Sequence, residues 1–290
     1  IHRRIERRMG LHQIDTLNEY LKYLTNYPSE VQLLYKELLI GVTSFFRDPE
    51  AFSMLSEKVL MQLITSAESD IRCWVAGCST GEEAYSLAIS LRQLMDEHSI
   101  VKDVKIFATD IDRDAILFAA NGVYPEAITA DLPAGILARY FQRRDDSYQI
   151  SRQIREMVVF AQHNIFRDPP FTNISVISCR NLLIYLQPVL QRKVFDFFNF
   201  SLRSNGYMFL GSSETVGDMA EYFDVIDQKS KLYKSRGRAK HSLESPLLMA
   251  TDTRARALKA RYAAIRNNVT FSDEEKVLEL FLEAVANDYL

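Results

Sequence analysis

A predicted strand, a turn with two glycines and a predicted helix follow one another in the first third of the chain, and this order constrains the fold most. The apolar residues 73–76 predict a buried strand, and Gly77 and Gly81 predict a tight turn. Over residues 82–94, apolar side chains recur at the spacing of one helix face. In α/β folds such a turn lies at the carboxyl end of the first strand, where nucleotide-like ligands bind. Two glycines alone are a weak motif, so an ordinary helix start is the alternative.

The predicted helix begins with Glu82 and Glu83, which bear on the kind of ligand that the turn can hold. Phosphate-binding loops present bare backbone amides and usually a lysine to an anion, whereas two carboxylates would repel a pyrophosphate. They suit a ligand with hydroxyl groups or positive charge, such as the ribose and the sulfonium of S-adenosylmethionine. The alternative is that both residues only favour the positive end of the helix dipole, with Ser79 or Thr80 as the N-cap.

A second acidic position follows the next predicted strand. Residues 104–110 form a largely apolar run that ends in Asp110, and Asp112 comes two residues later. Doubly wound folds place an acid at this point to accept hydrogen bonds from ribose hydroxyls. One aspartate there could instead cap the helix predicted over residues 114–120. Two aspartates at a strand end, after a glycine turn, favour the ligand role.

The composition excludes several classes of protein. The chain has 290 residues, 47% of them apolar, and a formal charge of −3, which fits one large domain plus a smaller one. The near-neutral charge gives no reason to expect nucleic-acid binding. No run of about 18 apolar residues occurs, so we expect no transmembrane helix and no membrane insertion.

The cysteines and the start of the chain indicate its context. Cys73, Cys78 and Cys179 lack the spacing of a metal site, so we expect no metal. Unpaired and mostly buried thiols fit a reducing cytoplasm. The chain begins at Ile1 without a methionine or a signal-peptide pattern, and we therefore interpret it as a piece of a longer protein.

Hydrophobic spacing divides the chain into three parts. It predicts a helical domain over residues 1–60 and an α/β domain over residues 61–235. Within the latter, residues 143–162 are predicted to form a small antiparallel insertion, or else to lead into a third core strand. Residues 236–290 are predicted to be a linker and helices, the last of which packs on the core or pairs with a copy of itself. Four arginines near the start form either an ordinary solvated face or a surface for an acidic partner: Arg3, Arg4, Arg7 and Arg8.

Two further stretches place polar residues beside apolar ones. Within residues 43–48, two phenylalanines precede Arg47, whose planar guanidinium can bind a ligand carboxylate. A buried loop in which Arg47 pairs with Asp48 is the alternative. Asn181 follows the buried strand predicted over residues 174–179, at the end where α/β sheets bind ligands. We expect this asparagine to hydrogen-bond to an adenine edge or to a ligand amino group. The alternative is that it only forms a turn.

Five segments occur in a fixed order along the chain: Thr-Ser-Phe-Phe-Arg-Asp (43–48), Gly-Cys-Ser-Thr-Gly-Glu-Glu-Ala-Tyr-Ser (77–86), Ala-Thr-Asp-Ile-Asp (108–112), Gln-His-Asn (162–164) and Cys-Arg-Asn-Leu-Leu-Ile-Tyr (179–185). Together they resemble the chemotaxis receptor methyltransferases, called the CheR family, over roughly residues 1–235. The resemblance implies an α/β, Rossmann-like S-adenosylmethionine-dependent methyltransferase domain. It also implies an all-helical N-terminal domain and a small antiparallel β insertion.

The family methylates side-chain carboxylates of glutamates on the cytoplasmic helices of chemoreceptors, and S-adenosyl-L-homocysteine is the product. The resemblance thus implies a cytoplasmic protein-glutamate O-methyltransferase whose basic N-terminal surface faces acidic receptor helices. The predicted insertion lacks a glycine-rich loop, which argues against the docking of a receptor-tail peptide seen in part of the family. Residues 236–290 resemble the helical connectors of longer sensory proteins.

The resemblance also assigns site residues. Family contacts to the cofactor match nine positions, with Glu83 preferred to Glu82: Thr43, Arg47, Glu82, Glu83, Asp110, Asn164, Ile165, Asn181 and Leu182. A further contact in some members is an asparagine where this chain has Gly41. Arg180 and Tyr185 are hypothesised to orient the substrate carboxylate.

The expected chemistry needs little acid–base catalysis. A glutamate carboxylate is ionised at neutral pH and a sulfonium methyl is already activated, so positioning and removal of water supply the rate. We therefore expect no general base and no catalytic histidine. Two alternatives remain: a nicotinamide-dependent oxidoreductase, which would require a third glycine in the turn, and a non-catalytic signalling module that binds S-adenosylmethionine or a partner.

Overall fold

The computed structural model describes residues 2–27, 29–31, 33–34 and 43–237. The chain separates into two units between Ile40 and Gly41. Gly41 and residues 238–290 lie outside the described residues, and so do the C-terminal helices predicted there. Within the described ranges, no helix has the length and apolar character needed to cross a bilayer.

The N-terminal unit contains two helices, α1 (His2–Leu11) and α2 (Leu17–Asn26), and is helical as predicted within the described residues. Thr16 caps α2, because its side chain accepts a hydrogen bond from the Glu19 amide at 3.3 Å. Apolar side chains from both helices and from the following segment form a small core: Ile5, Met9, Tyr20, Leu24 and Leu34.

A buried carboxylate, that of Glu30, lies next to this small core with 3% exposure. It accepts hydrogen bonds from Arg8 Nε at 2.8 Å and from the Tyr20 hydroxyl at 2.9 Å, and it contacts His12 Nε2 at 2.8 Å. Burial alone would raise the pKa of Glu30, but the hydrogen bonds outweigh burial and lower it below its ordinary 4.5. This carboxylate therefore stabilises the fold above pH 4.5, and its contribution is lost as the pH falls through the lowered pKa.

The Glu30 network corrects one part of the sequence interpretation. Arg8 is only 9% exposed and its charge is used inside the unit, so its assignment to a partner-binding surface is wrong. Arg7 is exposed, as that assignment requires. The side chains of Arg3 and Arg4 lie outside the described residues.

The second unit begins with a helix that continues through a π turn. It consists of α3 (Pro49–Leu55), the π turn (Ser56–Leu60) and α4 (Met61–Thr65). Phe52 and Leu55 pack into the main core of this unit. The structure thus differs from the predicted domain boundary at residue 60, because this helix packs with the α/β unit.

Ten strands form two sheets in this unit: β1 (Asp70–Ala76), β2 (Asp103–Asp110), β3 (Val123–Pro125), β4 (Phe141–Arg144), β5 (Ser147–Ile150), β6 (Val158–Gln162), β7 (Ile174–Cys179), β8 (Leu202–Leu210), β9 (Phe223–Asp227) and β10 (Leu232–Ser235). The main sheet has the order β6-β2-β1-β7-β8-β10-β9. Its first five strands are parallel, and β10 pairs antiparallel with both β8 and β9.

Helices connect the parallel strands: α5 (Glu82–Glu97), α6 (Arg113–Asn121), α7 (Ala134–Tyr140), α8 (Arg152–Arg155) and α9 (Pro188–Ser201). Because the crossovers from β1 lead first to β2 and later to β7, the strand order reverses next to β1. Doubly wound sheets bind ligands at this topological switch point, outside the carboxyl ends of the strands. The fold is therefore α/β and Rossmann-like, as predicted.

The small antiparallel sheet has the order β3-β5-β4, so its strands lie within residues 123–150. The predicted insertion, residues 143–162, is thus misplaced. Its last strand, β6, pairs in parallel with β2 and belongs to the main sheet, which was the alternative left open. The sequence reasoning missed β3 and β9, which are short and carry little apolar periodicity.

We predict that Glu30→Ala lowers the free energy of unfolding by about 3–5 kcal/mol, because it removes the buried carboxylate to which Arg8 and Tyr20 donate. Urea denaturation followed by circular dichroism measures the change. Asp15→Ala, which removes an exposed carboxylate of the same unit, serves as the control and should shift stability by less than about 0.5 kcal/mol. Equal effects of the two substitutions would contradict the buried ion pair.

Candidate functional site

The turn between β1 and α5 needs its glycines. Gly77 has φ +74° and Gly81 has φ +95°, in the left-handed region that side chains disfavour. A Cβ on Gly81 would lie 2.8 Å from Ala119 Cβ. Gly81 is itself the residue before α5 and no side chain caps that helix, so the predicted cap by Ser79 or Thr80 is wrong.

Asp110, at the end of β2, fastens this turn. Its Oδ2 accepts from the Ser79 amide at 2.8 Å, and its Oδ1 accepts from the Asp112 amide at 3.0 Å. Burial raises the pKa of Asp110, which these hydrogen bonds partly offset. Asp112, not Asp110, caps α6 through the Asp114 amide. Each oxygen of Asp110 still has acceptor capacity, so the carboxylate can receive ligand hydroxyls.

The two glutamates at the start of α5 have different partners. Glu83 Oε1 accepts from the Ser178 hydroxyl at 2.7 Å, and its Oε2 lies 3.5 Å from Arg180 Nη1. Burial raises the pKa of Glu83, while Arg180 and Ser178 act in the opposite direction. Glu82 accepts instead from the Thr80 hydroxyl at 2.7 Å, within the turn. Glu83 is thus the glutamate that connects α5 to the end of β7.

Arg180 is a buried cation with unused donors. Its side chain is 1% exposed, and its Nη2 donates to Asp48 Oδ2 at 2.6 Å. The guanidinium lies 4.5 Å from the centre of the Phe209 ring and 5.4 Å from that of Phe52. Its Nε and Nη1 are buried without a hydrogen-bond partner among the residues that the structure describes. Buried donors are rarely left without a hydrogen bond, and of these two only Nη1 has an ionic contact within the described ranges, to Glu83 Oε2 at 3.5 Å.

Arg47 lies on a turn with unusual backbone angles. Its neighbours Phe46 and Asp48 have φ +50° and +59°, and non-glycine residues in this region cluster at functional sites. The Phe46 amide donates to the Ser86 hydroxyl at 2.9 Å, which fixes the turn against α5. Burial raises the pKa of Glu83, and the charge of Arg47 partly offsets that rise, so Arg47 acts on the same site. Thr43, at the start of this stretch, is partly exposed.

The segment after β6 lies beside Asp110. The His163 amide donates to the Asp110 carbonyl at 3.0 Å. Asn164 Oδ1 accepts from the Phe166 amide at 2.9 Å, and Ile165 is 8% exposed. The hydrogen bond between His163 and Asp110 therefore places the next two residues, the predicted Asn164 and Ile165, beside the end of β2.

The turn after β7 contains Asn181, Leu182 and Tyr185. Asn181 has φ +60°, which asparagine tolerates better than most residues. A Cβ on Gly77 would lie 3.1 Å from Leu182 Cδ2, so this turn and the β1 turn are in close contact. Tyr185 is 51% exposed beyond them.

Sequence reasoning missed the residues that hold these turns. Asp48 was weighed only as a partner of Arg47, although it pairs with Arg180. Glu214 was not considered at all, yet it is 4% exposed and accepts hydrogen bonds from the turn after β7. The available signal was the sequence Gly-Ser-Ser-Glu (211–214), which follows β8 directly.

Comparison with known proteins gives matches along most of the chain. Residues 1–39 match the family model described as CheR methyltransferase, all-alpha domain. Residues 41–232 match the one described as CheR methyltransferase, SAM binding domain. This match, to a domain that binds S-adenosylmethionine, rules out the nicotinamide alternative. The buried carboxylates, the unpaired Arg180 donors and the glycine turn fit that cofactor.

Three relatives differ in how much of their length the chain covers. It is 42% identical over 237 residues to an uncharacterized 104.1 kDa protein in the hypE 3'region of Rhodobacter capsulatus, covering 81% of this chain but 25% of that protein. It is 34% identical to a chemotaxis protein methyltransferase of Borreliella burgdorferi, over 68% of this chain and 73% of the relative. It is 32% identical to chemotaxis protein methyltransferase 2 of Vibrio cholerae, over 78% of this chain and 80% of the relative.

We predict that Gly81→Ala destabilises the protein by about 1–3 kcal/mol, because the new Cβ meets Ala119 and the backbone angle is strained. Gly135→Ala is the matched control, since a Cβ there meets nothing within 4 Å in helix α7. That control should stabilise by about 0.5–1 kcal/mol. Urea denaturation of both variants measures the difference, and a neutral Gly81→Ala would show that the turn is not constrained.

Proposed function

The chain belongs to the CheR methyltransferase family, and we propose that it transfers a methyl group from S-adenosylmethionine to glutamate side-chain carboxylates of chemoreceptors. The observation that carries the proposal is the placement of charged side chains at one edge of the sheet: Asp110 ends β2, Arg180 follows β7 on the other side of β1, and Glu83 lies 3.5 Å from Arg180. Relatives that bear the name chemotaxis protein methyltransferase support the same reading.

Three charged side chains are proposed to hold the cofactor. Asp110 accepts hydrogen bonds from the ribose hydroxyls with the lone pairs that its backbone contacts leave free. Glu83 takes the amino group, and Arg47 binds the carboxylate through its planar fork. Asn181 with Leu182, Asn164 with Ile165, and Thr43 complete the proposed contacts. When bound, S-adenosylmethionine supplies a methyl group already activated by its sulfonium.

Arg180 and Tyr185 are proposed to orient the glutamate that receives the methyl group. Arg180 is held by Asp48 and by two aromatic rings, and its Nε has no hydrogen-bond partner among the described residues, so this nitrogen is proposed to donate to the carboxylate. Tyr185 is exposed where a protein substrate can reach it. No proton has to move, because the substrate carboxylate is already ionised. The rate then comes from positioning the two reactants and removing water.

The proposed partner is the cytoplasmic helical domain of a chemoreceptor, so the reaction takes place in the cytoplasm. The basic N-terminal surface that we assign to this partner now consists of Arg3, Arg4 and Arg7, since Arg8 is paired with Glu30. Opposite charges steer such an encounter and fix its orientation more than they add affinity. The chain spans 25% of its Rhodobacter relative, so modules outside this chain can determine which receptor is bound.

Mass spectrometry tests the proposed function. The protein is incubated with S-adenosylmethionine and cytoplasmic receptor fragments, and we expect glutamate peptides that gain the mass of one methylene group. The matched control replaces the cofactor with S-adenosylhomocysteine and should give no gain. Tight binding of S-adenosylhomocysteine without any modified glutamate would instead favour the non-catalytic signalling module.

We predict that Asp110→Ala abolishes binding of S-adenosylhomocysteine, because it removes both the proposed ribose acceptor and the bond that fixes Ser79. Isothermal titration calorimetry measures the affinity, and circular dichroism shows that the fold persists. Asp103→Ala, at the exposed start of the same strand, should bind as the wild type does. Wild-type affinity in Asp110→Ala would remove the assignment.

A further inference from the structure

We propose that Glu214 is a positioning residue that holds the turn after β7 in the shape needed for cofactor binding and methyl transfer. The proposal rests on the function proposed above, because that turn contains Asn181 and follows Arg180. Glu214 itself touches neither reactant in this account. It acts through the backbone of the turn.

The carboxylate of Glu214 binds three backbone amides from two loops. Its Oε2 accepts from Asn181 N at 3.0 Å and from Gly211 N at 2.7 Å, and its Oε1 accepts from Leu183 N at 2.7 Å. The residue is 4% exposed, so water cannot easily replace it. Hydrogen bonds to an ionised acceptor are stronger than those between neutral groups, and both oxygens take part here.

The turn needs such a partner because its own backbone cannot satisfy these amides. Asn181 has φ +60° and precedes a short 3-10 helix (Leu183–Tyr185), and the first amides of a helix have no partner within it. Leu182 lies between the two bound amides, and its side chain approaches Gly77 in the β1 turn. A shift of the Glu214 contacts would therefore move residues on both sides of the proposed site.

Gly211 gives independent support, because the approach of the two loops leaves no room for a side chain there. A Cβ on Gly211 would lie 2.7 Å from Glu214 Oε2, 2.9 Å from Asn181 N and 3.1 Å from Asn181 Nδ2. Such distances force a neighbour to move. The glycine is thus required by the contact between Glu214 and Asn181.

A purely electrostatic role is the competing explanation. The negative charge of Glu214 contributes to raising the pKa of Glu83, whose largest cause is burial. An electrostatic effect acts at a distance and would persist with a shorter side chain. The three hydrogen bonds from backbone amides require the full length of the glutamate side chain. Glu214→Asp keeps the charge but shortens the side chain by one methylene, so it separates the two explanations.

The test compares Glu214→Gln, Glu214→Asp and Gly211→Ala with the wild type, and Glu97→Gln is the control for loss of an exposed carboxylate. Calorimetry gives the affinity for S-adenosylhomocysteine, and hydrogen exchange gives the protection of the Asn181 and Leu183 amides. Denaturation with urea gives global stability for each variant. None of these measurements needs a receptor, so they remain valid if the protein proves not to methylate glutamate.

We expect Glu214→Gln and Glu214→Asp to weaken S-adenosylhomocysteine binding by about tenfold or more, with faster exchange confined to the turn after β7. Where methylation is observed, kcat should fall by about 10²-fold, as for other displacements of about 1 Å near a reacting group. Gly211→Ala should show the same pattern, and it keeps the test open if a Glu214 variant does not fold. Glu97→Gln should match the wild type.

Three results would overturn the proposal. Wild-type affinity and unchanged exchange in folded Glu214→Gln and Gly211→Ala would show that the turn holds its shape without these contacts. Wild-type behaviour of Glu214→Asp, beside a defective Glu214→Gln, would assign the effect to charge alone. A uniform rise in exchange across the whole unit would also contradict it, because that pattern indicates global destabilisation.

Discussion

The hydrogen bond from the Ser79 amide to Asp110 is the interaction on which the rest of the site depends. It joins a left-handed turn after β1 to the end of β2, and it forms in a place where two glycines let the backbone fold back. The same turn starts α5 and so fixes where Glu83 points, towards Ser178 on β7. One backbone contact thus sets the relative position of three strand ends. The position of the candidate ligand site follows from these contacts between the strand ends.

The strands and helices that could be predicted are those whose sequence pattern is local. Strands β1, β2 and β7 are nearly continuous apolar runs, and α5 has one apolar face, so each was recognised from a short stretch. The positions of Asp110 and Asn181 beside strand ends followed from the known geometry of parallel sheets, and their ligand contacts stay a prediction. The predictions that failed concern residues whose partners lie far along the chain. The pairing of β6 with β2, and of Arg8 with Glu30, leaves no mark in the neighbouring sequence.

The carboxylates of Glu83 and Asp110 accept hydrogen bonds, but burial still makes their ionised forms costly. Burial raises the pKa of Glu83 and Asp110 above their ordinary 4.5 and 3.8, so ionising them costs the folded state free energy. For such groups stability falls as the pH rises from the ordinary value through the raised one. A bound cation reverses that cost, because opposite charge favours the ionised form. The buried carboxylates thus favour a ligand with a sulfonium over one with a pyrophosphate.

Buried polar groups in this unit fall into two kinds, and the difference assigns their roles. Glu214 accepts hydrogen bonds at both oxygens from the protein itself, so its role is to hold the loops. Arg180 is as deeply buried, but the described part of the chain leaves its Nε and Nη1 without hydrogen-bond partners, although Nη1 lies 3.5 Å from the Glu83 carboxylate. Leaving buried donors unpaired costs about 1–3 kcal/mol, so they persist where something else completes them. The natural complement of a planar guanidinium is a carboxylate, which both the cofactor and the proposed glutamate substrate carry. This complementarity supports the role that we propose for Arg180 in orienting the substrate carboxylate.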